Sequence, residues 1–128
     1  MDKDKLLQTL TELRKHPRET EWLEFKEAKN QIDFNKLGKY FSALSNEANL
    51  YNKECGWLIL GVEDMKHAIV GTTYRQGGAV DSLKHEIAKE TTGGITFISI
   101  DELCLPEGRV IMFRIPDRKS TRLNSSHR

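Results

Sequence analysis

Two groups of residues in this chain carry charge in patterns that chemistry can use. Glu63 and Asp64 stand at the end of the longest apolar run, Gly56-Trp57-Leu58-Ile59-Leu60-Gly61-Val62. A run of this length suits a strand buried on both faces better than a helix, so a rigid element holds the two carboxylates. Successive strand side chains point to opposite faces, so only one of the pair could join a given site, and the sequence leaves open which. The second group is basic: Lys26, Lys29, Lys36, Lys39, Lys53, Arg75 and Arg109. Gathered on one surface these would touch phosphates, a task that needs a local patch and tolerates zero net charge. Scattered, they are an ordinary solvated surface of mixed sign, and composition alone favours that.

Other chemistry is weaker. Thr72 to Ala79 holds Arg75 and Gly77-Gly78, but no Gly-x-x-x-x-Gly-Lys-Ser/Thr pattern exists, so the stretch reads as a turn. His16, His67 and His85 lack metal-type spacing, and so do Cys55 and Cys104, which read as reduced thiols of a cytosolic protein. Trp22 and Trp57 read as core packing.

Recognisable elements must position these groups. Leu6, Leu7, Leu10 and Leu13 predict an amphipathic helix over 4–15, stopped by His16-Pro17 and packed on the sheet or on a partner. Leu23 and Phe25 alternate with Glu24 and Lys26, predicting a half-buried strand with the charged pair on its exposed face. Asp33 is a candidate N-cap for a helix carrying Phe34, Leu37, Phe41, Leu44 and Ala48 and ending near Asn49. Within the apolar strand, Gly61 predicts close backbone approach or a bend. Ala68-Ile69-Val70 pairs back as a short strand. Val80, Leu83, Ile87 and Ala88 mark a further helix. Two strands follow, one in 95–105 and one in 109–115, on either side of the turn signal Pro106-Glu107-Gly108. The expected fold class is α+β: a mixed sheet of about five strands, two helices packed on it and an additional N-terminal helix.

With 128 residues, 38% of them hydrophobic and 30% charged, the chain suits one globular domain with a modest core. No apolar segment approaches the ~20 residues of a membrane helix, and the N-terminus lacks an apolar signal region, so a cytoplasmic location without membrane contact is expected. The end of the chain stands apart. Asp117 to His127 resembles the translation of a sequencing-adapter oligonucleotide, which implies a non-native, disordered tail and a natural protein that continues past Pro116. Without 117–128, 16 basic and 18 acidic residues remain, a formal net of −2. The basic tail therefore says nothing about nucleic acid.

Three motifs in order carry a family resemblance. They are Glu19-x-Glu21-x-x-Glu24-Phe25-Lys26, then Tyr40-Phe41-Ser42-Ala43-Leu44-Ser45-Asn46, then Gly56 to Asp64 followed by Ile69-Val70-Gly71. Together they resemble the Schlafen-type AlbA_2 domain, a domain assigned to DNA binding. In bacteria and archaea it often forms the N-terminal part of ATP-binding or helicase-like transcriptional regulators. The resemblance covers roughly 15–116 and implies an N-terminal helix over 1–17, an AlbA_2-like domain over 18–116 and the tail over 117–128. Where the family often has Gly-Gly before the central strand, this chain has Cys55-Gly56.

The leading expectation is a DNA- or RNA-binding module that contacts phosphates through Lys26, Lys29, Lys36, Lys39 and Arg75, with no cofactor of its own. ATP would belong to a region beyond this chain. The alternative implied by the resemblance is a nuclease, because Schlafen nucleases place metal-binding carboxylates at positions matching Glu19, Glu24 and Asp64, assisted by the residue matching Lys26. Mg²⁺ or Mn²⁺ would then activate water against a phosphodiester. An interaction or homo-oligomerisation domain using the Leu6, Leu10 and Leu13 helix is the third expectation.

Overall fold

The computed structural model describes residues 3–15, 22–27, 32–50, 55–75, 80, 82–90 and 96–116. Within them the chain runs α1 (Lys3–Arg14), β1 (Leu23–Lys26), α2 (Phe34–Leu50), β2 (Cys55–Leu60), α3 (Ser82–Glu90), β3 (Ser99–Leu105) and β4 (Gly108–Pro116). The strands form one mixed sheet in the order β1-β2-β4-β3. β1 runs parallel to β2, with Leu23 opposite Trp57 and Lys26 opposite Leu60. β2 and β4 are antiparallel, as are β4 and β3, which are joined through the turn at Pro106-Glu107.

The sheet is covered on both faces, and the pleat sorts its side chains between two cores. Leu58, Leu60, Ile111, Phe113 and Ile115 meet Leu37, Phe41 and Leu44 of α2 and Leu83 and Ile87 of α3. Trp57, Ile59, Val110 and Met112, with Leu23 and Phe25, meet Leu6, Leu10 and Leu13 of α1. Every residue of β2 is buried, as the unbroken apolar run requires of an interior strand. Of the two options open for the N-terminal helix, α1 takes the first: its leucines lie on the sheet.

The apolar run does not continue as one strand to Asp64. β2 ends at Leu60, because Gly61 takes φ +95° and a Cβ there would stand 2.5 Å from the Arg109 carbonyl oxygen. Gly61 N–H donates to Lys26 O, and its own carbonyl accepts from Val70 and Gly71. The close approach and the bend expected at this glycine thus occur together. Beyond it Val62 and Ile69 make one isolated bridge, which is why the sheet has four strands and not five. Glu63 and Asp64 therefore lie in a connecting turn and not on a strand end. Gly56 serves a different contact. A Cβ there would meet Leu44 O at 2.8 Å, so the start of β2 lies directly under α2.

Polar bonds tie the periphery to this frame. Arg14 Nε donates to His67 O at 2.7 Å, and His67 Nδ1 lies 3.2 Å from Arg14 O, joining the end of α1 to the 63–69 connection. Ser45 Oγ donates to Pro116 O at 2.6 Å, fixing the end of β4 to α2. Cys55 is buried and Cys104 exposed, and neither forms a disulfide. No helix among the described residues is long and apolar enough to cross a membrane.

Candidate nucleic-acid interface

Because β1 and β2 are parallel, α2 between them must run back along the sheet, which puts its first turns beside the carboxyl ends of both strands. This is the end at which open α/β units commonly hold ligands. Lys26 closes β1 there. Its ammonium lies 5.6 Å from the centroid of the Tyr40 ring and 3.3 Å from Glu24 Oε2. Burial by itself pulls the Lys26 ammonium down, but the hydrogen bond to Tyr40 and the charge of Glu24 more than offset it. Its pKa stands above the ordinary lysine value, so the group is a fixed cation.

Lys36 and Tyr40 are four residues apart and share one side of α2, and Lys36 and Lys39 are both exposed. Lys39 also overlooks an open groove of about 820 Å³ between α2 and α3, lined by Asn35, Gly38, Ser42, Asn46 and Ile87 among others. Of the residues expected to bind phosphate, Lys26 thus lies at the carboxyl end of β1, and Lys36 and Lys39 on the amino-terminal half of α2. Lys29 lies outside the described residues, as do Lys53 and Glu19.

The charged pair of β1 requires a correction. Glu24 and Lys26 are not on an open sheet face. They share the face of Leu58 and Leu60, the one under α2, and stay partly exposed because β1 is the edge strand.

Both arginines are engaged by carboxylates. Arg75 is bonded to Glu86 of α3 through both terminal nitrogens, at 2.9 and 3.0 Å, and its Nη1 also donates to Ser82 Oγ at 2.9 Å. The bond to Glu86 raises the Arg75 pKa further and holds the Glu86 carboxyl below its usual value. Arg109 is buried. Its guanidinium lies 2.7 Å from Glu102 Oε2, and Nη1 donates to the carbonyls of Thr72 and Tyr74. Alternation along β4 explains this, because Arg109 shares the helix-covered face of Ile111 and Phe113. It staples the 71–75 loop.

Of the carboxylates expected for a metal, Glu24 and Asp64 are among the described residues and Glu19 is not. Glu24 is engaged by Lys26. Asp64 is exposed in its turn, while Glu63 Oε1 accepts from Lys66 N–H at 2.9 Å. No group of three His, Cys, Asp or Glu side chains there could hold a metal ion.

Tyr40 and Glu86 are the residues that sequence reasoning did not assign to the site. For Tyr40 a signal existed, its helical spacing from Lys36. Glu86 had none, since its partner comes from a loop.

The model of the Schlafen AlbA_2 family matches residues 19–128. This chain belongs to the Schlafen AlbA_2 family. A search of curated proteins found no significant match. Among solved structures, the AlbA_2 chain is similar to the N-terminal domain of a RecG-related protein from Nitrosomonas europaea. The identity is 18%, the TM-score is 0.53, and the match covers 89% of this chain and 74% of that one. At this identity the likeness concerns the fold. α1 precedes the residues that the family model matches, yet it supplies one of the two cores.

Proposed function

We propose that this AlbA_2 domain binds nucleic acid, DNA foremost, as a module of a larger regulatory protein, and that it grips the phosphate backbone with Lys26, Lys36 and Lys39. The observation that carries this reading is Lys26 held over the Tyr40 ring at the carboxyl end of the parallel pair β1 and β2, with Lys36 one turn before Tyr40 and Lys39 exposed on the same helix. The description of the Nitrosomonas protein as related to an ATP-dependent DNA helicase supports it. A local cation cluster suffices, because phosphate contact depends on counterions released at the patch and not on net charge. Tyr40 adds a ring against which a sugar or base can rest.

The test is fluorescence anisotropy with a labelled DNA duplex and the matching single strand over a range of salt. Log affinity should fall linearly with log salt. A Lys26→Gln, Lys36→Gln, Lys39→Gln protein should bind more weakly and lose about 1 from the slope per lysine that neutralises a phosphate. Binding indifferent to salt, or a slope unchanged in the triple variant, would remove the basis of the proposal. With Mg²⁺ or Mn²⁺ present the probe should stay intact. Cleavage that Glu24→Ala abolishes would replace this reading with the nuclease.

A further inference from the structure

The Arg75–Glu86 pair has the geometry of an anion site already filled by a residue of the chain itself. Two roughly parallel N–H bonds run from the guanidinium to the carboxylate, Nη1 to Oε2 and Nη2 to Oε1. A phosphate accepts the same fork. Ser82 Oγ completes the arrangement, accepting from Arg75 and donating to Glu86 at 3.1 Å. The two side chains remain 30% and 40% exposed, so an anion in solvent can reach both. Arg75 also holds φ +51°, a left-handed conformation uncommon for a residue of its type, so the loop aims the guanidinium at a local conformational cost. Tyr74, its neighbour, accepts a bond at its carbonyl from Arg109, which lies near the start of β4 beside the end of β2, where Leu60 pairs with Ile111 on one side and Lys26 on the other. Arg75 therefore stands at the same end of the sheet as Lys26.

We propose that Glu86 is an intramolecular stand-in for phosphate: Arg75 is a phosphate-binding residue that Glu86 keeps masked, and a backbone phosphate of the bound nucleic acid takes the place of the carboxylate. The inference rests on the nucleic-acid reading above and extends it to a residue that is otherwise engaged. The exchange swaps one anion for another against the same fork, so no charge is left uncompensated at Arg75. A partly exposed ion pair contributes little by itself, whereas a polyanion arrives with counterion release behind it. Masking also discriminates. An isolated small anion must compete with a tethered carboxylate, and a phosphate already positioned by the lysines competes at high effective concentration.

The experiment compares the full chain with its Glu86→Gln, Arg75→Gln and doubly substituted forms, using the same DNA probes over the same salt range. Glu86→Gln should bind about two- to five-fold more tightly, the worth of an exposed ion pair. Its salt slope should steepen by up to about 1. Arg75→Gln in the Glu86→Gln background should reverse both changes. A local readout uses inorganic pyrophosphate alone: the Arg75 Nε–H resonance should move on titration in Glu86→Gln, and less in the unsubstituted chain, against chloride at equal ionic strength. Glu86→Ala serves as a second unmasking variant if Gln lowers the thermal midpoint. A folded Glu86→Gln protein with unchanged affinity, unchanged slope and no pyrophosphate response overturns the inference, leaving a structural clamp. If the triple lysine variant still loses slope in that case, the nucleic-acid reading survives alone. If no form binds DNA, both fall, even should Arg75 respond to pyrophosphate.

Discussion

The same residue type has opposite fates in this chain, and the neighbours decide them. Arg109 is a buried cation surrounded by Glu102 and two backbone carbonyls, so its contribution is to the fold. Arg109→Leu should destabilise by about 1–3 kcal/mol, because the carbonyls of Thr72 and Tyr74 lose their donor. A shift in the urea midpoint at unchanged slope would measure it, and an unshifted midpoint would contradict the role. Glu86 gives a pH signature. Bonding to Arg75 lowers its folded pKa below the unfolded value, so its stabilising effect is complete above the ordinary carboxylate range and is lost as pH falls through the lowered value. The stability difference between the unsubstituted chain and Glu86→Gln should therefore shrink on acidification, as followed by thermal melts across pH. A difference that grows towards acid would contradict the pairing. The sequence showed that Arg75 and Arg109 are cations. Their partners come from α3 and β3, and no local pattern names them.

At the scale of elements, the apolar run of β2 was legible because burial on both faces leaves a continuous signature. The helical stripe of α2 was legible for the same kind of reason, with Leu37, Phe41, Leu44 and Ala48 all buried. The end of β2 was not. The alternation expected of Glu63 and Asp64 assumed that the strand continued, but Gly61 turns the chain where the carbonyl of Arg109 crosses it. Gly61→Ala should cost more than about 1 kcal/mol, since the backbone is left-handed and the added methyl has no room. Thermal denaturation checks this, and a neutral substitution would show that the turn can relax. The fifth strand failed for a related reason: after that turn Ile69 meets only Val62, too short a pairing to extend the sheet.

For the whole molecule, the arrangement is three-layered, with α1 on one face and α2 with α3 on the other. α1 lies before the family-matched residues but covers Leu23, Phe25, Trp57, Ile59 and Met112. Leu10 is fully buried there, and Leu10→Ala should cost about 2–5 kcal/mol. Tryptophan emission follows the change, since Trp57 belongs to that core. A loss below this range would mean that α1 is loosely held. The helix is thus committed to its own sheet through these leucines.

The amino-acid order by itself determined what depends on near neighbours: the helix and strand periods, the turn at Pro106-Glu107, the glycine at which a strand must bend, and the three motifs of the AlbA_2 domain. Tertiary structure alone decided which charges meet. Lys26 lies over Tyr40 because a parallel pair forces α2 back along β2, beside the edge strand β1. Arg75 is paired because α3 packs against its loop, and Arg109 because β3 lies beside β4. Periodicity is written along the chain, whereas the freedom of a cation depends on residues brought to it from far away, and that is settled only when the layers pack.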